Sequence, residues 1–403
     1  MASNFNLLRI YRNLSEAVVQ GLTSIFDEGK YADKVIEKIL KSNPKWGARD
    51  RRFIAETIYD IVRWYRLFME VSQARPGDYW KLLGTWCLWN RISPPPWEEF
   101  RSLNPQKIEE AYKQAANDRK IAESIPDWLD DLGQQELKHH WAHELHALNE
   151  EAKVVLRVNT LKVRKSELQR QLAEENIFTQ SDAGFPDALL LEERQNIFTR
   201  QQFKDGLFEV QDAGSQLIAP FLNAQPGMRV IDACAGAGGK TLHLSALLQN
   251  KGKIIAMDTE AWKLDELKNR ARRAGATNIE PRLIDSSKVI KRLANSADAL
   301  LLDVPCSGLG VLKRNPDAKW KLTPDFIQEV KVMQSKILED YSVMLKPNGI
   351  MVYSTCSIFP SENEKQVQQF LKANADFIFE DEKTIYPSEG FDGFYMARLR
   401  KKE

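Results

Sequence analysis

The amino-acid sequence predicts an α/β protein in which a Rossmann-like, doubly wound parallel sheet follows a small α+β unit and an all-α region. Three observations carry that expectation. Strand and helix patterns alternate from Met228 onward, apolar residues recur at helical spacing in the first 90 residues, and short β-branched runs occupy the stretch between. The expected boundaries are 1–150 for the helical region, 151–215 for the α+β unit and 216–403 for the sheet domain. At 403 residues the chain has the length for two or three domains of about 100–200 residues each.

The elements follow in order. Between Asp50 and Glu70, the residues Phe53, Ile54, Ile58, Ile61, Val62 and Tyr65 form one helical stripe, with Arg49, Arg51, Arg52, Arg63 and Arg66 on the other faces. Those arginines read either as a solvated face or as a patch facing a polyanion such as RNA. Ser93-Pro94-Pro95-Pro96 interrupts the pattern, and more helix follows up to about Glu150. The stretch 153–158 is strand-like, 163–174 helical, and 188–191 and 207–210 are further short strands. In the last part, strands are expected at 228–231, 253–257, 280–284, 299–302 and 350–354. The helices between them fall at 240–248, 262–274 and 326–345. Alternation of this kind lays the strands side by side in parallel with helices on both faces.

Composition narrows the functional classes. No stretch approaches the roughly 18–20 uncharged apolar residues of a membrane span. The start, Met1-Ala2-Ser3-Asn4-Phe5, lacks the charged head and apolar run of a secretory signal. Lys+Arg is 57 against Asp+Glu 56, so global charge gives no nucleic-acid signal and any polyanion must be held by a local patch. Four cysteines, Cys87, Cys234, Cys306 and Cys356, are too few and too scattered for a disulfide scaffold. The expectation is a reduced, cytoplasmic monomer without a membrane partner, whose thiols are to be read for chemistry.

The most informative segment is Val230-Ile231-Asp232-Ala233-Cys234-Ala235-Gly236-Ala237-Gly238-Gly239-Lys240-Thr241, a buried strand running into a Gly-rich turn and a helix. Glycines there allow close backbone approach, and the helix start presents free N–H groups. A phosphate-binding P-loop shares the Gly239-Lys240-Thr241 ending but requires glycine where Cys234 stands. A nucleoside-cofactor site remains, and such a site expects an acid closing the second strand. Asp258 is in that place, while Asp285 and Asp303 close the third and fourth strands, so three acids point toward one crevice. Cys306 leaves the fourth strand and Cys356 the fifth, which puts both sulfurs on the rim of that crevice. They lack the short Cys-x-x-Cys spacing of a redox or metal pair. The run His139, His140, His143 and His146 could place His139 and His143 on one helix face. An amphipathic helix explains it more simply, and no metal is expected.

Together Cys234–Thr241, Asp303-Val304-Pro305-Cys306-Ser307-Gly308 and Thr355-Cys356-Ser357 resemble the RsmB/Sun family of RNA cytosine carbon-5 methyltransferases. The resemblance extends to Leu156-Arg157-Val158-Asn159, Gln211-Asp212, Arg314-Asn315-Pro316-Asp317, Trp320, Glu362-Asn363 and Asp392-Gly393-Phe394, covering roughly residues 150–400. More weakly, Arg49 through Arg63 is similar to the NusB-like RNA-binding domain of bacterial RsmB.

The resemblance implies a class I methyltransferase fold, S-adenosyl-L-methionine as cofactor, and RNA, specifically 16S ribosomal RNA, as substrate. It implies that Cys234, Ala235, Gly236, Ala237, Gly238, Gly239 and Lys240 cradle the amino-acid end of the cofactor, with Asp258 on the ribose and Asp285 near the adenine. Asp303 borders cofactor and base and recognises the cytosine edge. Cys356 is implied as the nucleophile, and Cys306 as the group that releases product. Where the family has Ala-Pro before Gly-Gly-Lys, this chain has Gly236-Ala237, a loop less pre-set by about 0.5–1 kcal/mol.

The chemistry agrees with these residue types. Carbon 5 of cytosine accepts a methyl group only after a thiolate has added to carbon 6, and an ordinary thiol of pKa about 8.5 is only partly thiolate at neutral pH. A positive sulfonium and a helix N-terminus after Thr355 are expected to favour that thiolate. The reacting base must leave its stack, so the target is flipped or single-stranded. A DNA cytosine methyltransferase would use the Pro-Cys cysteine as nucleophile and lack Thr-Cys-Ser, and an amino-methyltransferase would show Asn/Asp-Pro-Pro-aromatic in place of Asp303–Cys306. The same chemistry on tRNA, or a non-catalytic RNA-binding assembly factor, are the alternatives.

Overall fold

The computed structural model describes residues 10–403, and the Met1–Phe5 stretch weighed above as a signal lies outside the described residues. The chain separates into two compact units, Met1–Glu150 with Leu312–Pro324, and Glu151–Val311 with Asp325–Glu403. Residues 312–324, inside the range expected for the sheet domain, fall with the first unit.

The first unit is helical. Helix Arg12–Phe26 buries Leu14, Val18, Leu22 and Ile25, and helix Ala48–Arg63 buries Phe53, Ile54, Ile58, Ile61 and Val62. Each such side chain contributes on the order of 1.5–3 kcal/mol when fully removed from water. Gly21 lets the two helices approach, because a Cβ there would meet Ile58 Cδ1 at 2.6 Å. The helical stripe over 50–70 is not one helix. It breaks at Trp64 (φ −104°, ψ 23°), and a second helix, Tyr65–Ser72, follows.

The arginines on these faces are mostly structural rather than a free basic patch. Arg51 donates to the carbonyls of Leu40 and Trp46 at 2.9 and 3.0 Å, Arg63 to that of Lys313 at 2.9 Å, and Arg66 to that of Ile125 at 2.6 Å. These carbonyls lie in a last helical turn or in loops, where the backbone lacks intrahelical partners. Arg49 and Arg52 are exposed, Arg52 with Glu56 at 2.7 Å. Residues 312–324 bring their own ties. Trp320 Nε1 donates to the Val62 carbonyl at 2.7 Å, and the buried Lys319 ammonium to the Arg63 carbonyl at 2.8 Å. Burial pushes the Lys319 pKa well down.

The histidine run does not share one helix. His139 and His140 lie in the 3₁₀ turn Lys138–His140, His143 and His146 on the helix Trp141–Leu148, and His146 Nδ1 pairs with Glu123 at 2.9 Å. Among the described residues, no group of three or more His, Cys, Asp or Glu side chains is placed to hold a metal, and no helix is long and apolar enough to cross a membrane.

The second unit carries two sheets. The smaller is antiparallel, in the order β2-β3-β1-β4, from β1 (Val155–Val158), β2 (Thr179–Ser181), β3 (Ala188–Leu191) and β4 (Phe208–Val210). Three of these four are expected from the sequence; β2 is not, being a polar three-residue edge in which only Thr179 is buried.

The larger sheet comprises β5 (Arg229–Asp232), β6 (Lys253–Asp258), β7 (Ile279–Leu283), β8 (Ala297–Asp303), β9 (Leu345–Thr355), β10 (Phe377–Ile385) and β11 (Phe394–Lys401). Its order is β10-β11-β9-β8-β5-β6-β7. The five expected strands are parallel, but the sheet as a whole is mixed, because β11 pairs antiparallel with β9 and β10 with β11. Two strands, β10 and β11, were not expected from the sequence. β10 reads Phe-Ile-Phe-Glu-Asp-Glu-Lys-Thr-Ile and is exposed along most of its length, as an edge strand blunted by charge. β5 lies between β6 and β8, so connections leave it in opposite directions and a crevice opens beyond the carboxyl ends of β5 and β8.

Candidate active site

The turn after β5 is built to bring backbone close to a ligand. Gly236 (φ +54°) and Gly238 (φ +88°) are left-handed, which other L residues adopt at a cost of about 1–2 kcal/mol. A Cβ on Gly238 would also meet Leu267 Cγ at 2.7 Å. Helix Gly239–Leu247 begins there. The Gly236-Ala237 pair is held without a proline: Gly236 N–H donates to Asp258 Oδ2 at 2.9 Å, and Arg270 donates to the Ala237 carbonyl at 2.9 Å.

A cavity of about 210 Å³ opens beside this turn, lined by Gln211, Ser215, Asp232, Cys234, Ala235, Gly239, Lys240, Arg270 and Asp303 among others. Of the expected acids, Asp303 lines it directly. Lys240 Nζ meets Asp303 Oδ2 at 2.5 Å, and the Ser354 hydroxyl donates to Asp303 Oδ1 at 2.9 Å. Asp258 is buried behind the turn, accepting from Gly236 N–H and, at 2.9 Å, from Glu260 N–H. Asp285 is not brought to this cavity. It lies beyond the end of β7, exposed, and accepts from the Ser286 hydroxyl at 3.0 Å.

Asp232, quoted in the motif above but given no role there, lines the cavity and is 1% exposed. Thr241 donates to its Oδ2 at 2.7 Å, while Oδ1 is buried with no hydrogen-bond partner. Burial pushes its carboxyl up to about 7. Its signal in the sequence was present, an acid ending an apolar strand ahead of glycines. Arg270 could not be read this way. Arg270 is one of several basic residues on its helix, and only the fold turns it to the Ala237 carbonyl and to Glu209 Oε2 at 2.9 Å.

The two thiols meet. Cys306 Sγ lies 3.0 Å from Cys356 Sγ, and Cys356 N–H donates to Cys306 Sγ at 3.2 Å. The Cys306 pKa is pushed well up by the hydrogen bond with Cys356, by burial, and by the charges of Cys356 and Glu362. Cys234 is also held as a thiol, by burial and by the charges of Asp232, Asp303 and Asp258. Cys87 is buried in the helical unit, its pKa up to about 12. The helix expected directly after Thr355 begins later, at Glu364, so its N-terminus is not at Cys356. Lys240 is a cation within electrostatic reach of Cys356.

Gly310 joins the two thiol loops. Its N–H donates to the Cys356 carbonyl at 2.8 Å, and Gly393 N–H donates to the Gly310 carbonyl at 2.7 Å.

The family described as 16S rRNA methyltransferase RsmB/F matches residues 219–400, and a ferredoxin-like domain of the RsmF/B-like methyltransferases matches residues 125–198. A protein of Synechocystis named probable ribosomal RNA small subunit methyltransferase B is 36% identical over 94% of this chain and 97% of its own length. The chain belongs to the RsmB/F family of RNA methyltransferases. Members of this family use S-adenosyl-L-methionine as methyl donor. Among solved structures, a methyltransferase homologue from Pyrococcus horikoshii is 27% identical with a TM-score of 0.63, covering 70% of this chain and 98% of that one. A protein designated PH0851 shares the fold across 98% of this chain and 100% of its own, with a TM-score of 0.83 at 24% identity.

Proposed function

We propose that this RsmB/F-family chain methylates carbon 5 of a cytosine in small-subunit ribosomal RNA through a covalent adduct at Cys356. The carrying observation is the contact of two thiols 3.0 Å apart at the ends of adjacent parallel strands, beside the cavity that Asp303 and Lys240 line.

The residues present fit S-adenosyl-L-methionine. A buried carboxylate oxygen without a partner, Asp232 Oδ1, and the neighbouring Asp303 suit a ligand bearing an ammonium and a sulfonium. In this reading the turn 234–240 and Asp232 hold the amino-acid end, and Asp258 the ribose. Asp285 is assigned to the adenine by family resemblance alone. When bound, the cofactor supplies an electrophilic methyl group.

Cys356 adds as thiolate to carbon 6, and Asp303 takes the cytosine edge. Carbon 5, now enamine-like, accepts the methyl group. The carbon-5 proton must then leave, so that the C6–S bond can break and regenerate the thiolate. Cys306 is the group assigned to that step, and its environment supplies the timing. In the resting site its proton is held first by the hydrogen bond with Cys356 and then by burial. Once Cys356 is a thioether, that hydrogen bond is gone, so Cys306 gives its proton to solvent more readily. As thiolate it takes the carbon-5 proton, returning to the thiol as the C6–S bond breaks.

The RNA-facing parts of the proposal are the 151–215 unit and the 1–150 helical region, the latter by its NusB-like resemblance. The protein is proposed to act as a cytoplasmic monomer.

The test compares the two thiols. With Cys356→Ala, methylation and covalent RNA capture are both lost. With Cys306→Ala, a denaturation-resistant protein–RNA adduct accumulates. An adduct in Cys356→Ala instead reverses the roles, and none in either variant rejects the covalent route. Bisulfite sequencing of RNA with and without the gene locates the cytosine.

A further inference from the structure

Behind the thiols sits a carboxylate that no step above uses. Glu362 is fully buried in the turn after β9, and no cation is within hydrogen-bonding range of it among the contacts described. Its Oε1 accepts from the hydroxyls of Ser307 at 2.5 Å and Ser357 at 2.6 Å. Its Oε2 accepts from Ser307 N–H at 2.8 Å and from Gln334 Nε2 at 3.0 Å. Ser307 follows Cys306, and Ser357 follows Cys356. Gln334 also donates to the carbonyl of Pro305, the residue before Cys306, at 3.0 Å. Asn363 completes the turn, accepting from the Thr355 hydroxyl at 2.6 Å and donating to the Ser357 carbonyl at 3.0 Å.

A buried carboxylate is tolerated only where donors replace water, and here the loops of the two cysteines supply most of those donors. We propose that Glu362 is a positioning residue for both thiols, one carboxylate tying the Cys306 loop to the Cys356 turn and so fixing the contact between the sulfurs. Its charge has a second effect, since it is among the influences that keep the proton on Cys306. The inference rests on the covalent reading for its catalytic consequence, but not for its geometry.

Glu362→Gln keeps the shape. The amide oxygen can face Ser307 N–H and Gln334, and the amide nitrogen can donate to the two hydroxyls, which rotate to accept. Only the charge is lost. Alkylation of the full chain by iodoacetamide across a pH series, read at the Cys306 peptide by mass spectrometry, then shows a lowered midpoint. A purely structural role would leave that midpoint in place. Glu362→Ala removes the tie and lowers kcat at least tenfold, with KM for the cofactor unchanged within twofold because the carboxylate does not line the cavity. Glu362→Gln restores part of that rate. Should the Ala variant fail to fold, Ser357→Ala cuts one arm, with a smaller fall in kcat and no shift at Cys306. An unmoved midpoint in Glu362→Gln overturns the proposal, as does a parental rate in the Ala variant. If the parent forms no 5-methylcytidine while the midpoint moves as stated, the reaction assignment fails and the positioning role stands.

Discussion

Asp232→Asn is expected to strengthen the fold while weakening cofactor binding. The carboxyl is 1% exposed, one of its oxygens has no partner, and its pKa is pushed from 3.8 up to about 7, chiefly by burial. At about 1.36 kcal/mol per pKa unit, that shift corresponds to roughly 4 kcal/mol. The sign follows from proton counting. Between 3.8 and about 7 the folded state binds the proton more tightly than the unfolded chain, so stability falls as pH rises through that window. Above it the penalty is complete. Asparagine carries no charge and keeps an acceptor for Thr241, but its amide must find its own partners, which takes back about 1–2 kcal/mol. The variant should therefore exceed the parent by about 2 kcal/mol at pH 8 and by little at pH 5. Urea titrations followed by circular dichroism at both pH values read the difference, and calorimetric titration with S-adenosyl-L-methionine reads the loss of binding. Equal urea midpoints at pH 8, or a variant weaker at both pH values, would refute the argument.

Three further outcomes are expected. Asp258→Ala, which releases the Gly236 and Glu260 amides, should weaken cofactor binding by about 1–3 kcal/mol in calorimetry; unchanged affinity removes Asp258 from the site. Gly310→Ala places a Cβ 2.2 Å from the Gly393 carbonyl oxygen and 2.8 Å from that of Cys356, both backbone atoms that move only with their loops. It should destabilise by about 1–3 kcal/mol in urea titration and slow methyl transfer more than tenfold. His243, which pairs with Asp187 at 2.9 Å, has its pKa lowered from 6.5 to about 4 by burial. The fold favours the neutral imidazole, so its contribution of roughly 3 kcal/mol is present above pH 6.5 and lost as pH falls through about 4. This trend opposes that of Asp232, so the measurement is His243→Gln against the parent across pH 4–7; parallel curves exclude the effect.

Much of the crevice's lining was legible in the sequence because it resides in local patterns. An apolar strand ending in Asp232, glycines that permit left-handed turns, and Lys240 opening a helix lie within twelve consecutive residues. The alternating strands fixed the end of the sheet at which Asp303, Cys306 and Cys356 emerge, since side-by-side parallel strands present their carboxyl ends together. The edge strand β10 escaped because its charged residues carry no apolar alternation. The sequence did not separate Arg51, Arg63 and Arg66, which turn to backbone carbonyls, from the exposed Arg49 and Arg52, because a guanidinium serves a helix-end carbonyl as readily as a phosphate.

By itself, then, the sequence determined which residues could react and where along each strand they stand. Only the tertiary structure decided what they are worth: the 3.0 Å contact of two cysteines fifty positions apart, the unpartnered oxygen of Asp232, and the convergence of four donors on Glu362. The reason is physical. Local propensity depends on neighbours along the chain, whereas burial, charge proximity and hydrogen-bond partnership depend on neighbours in space, and these last set the proton affinities on which the proposed reaction turns.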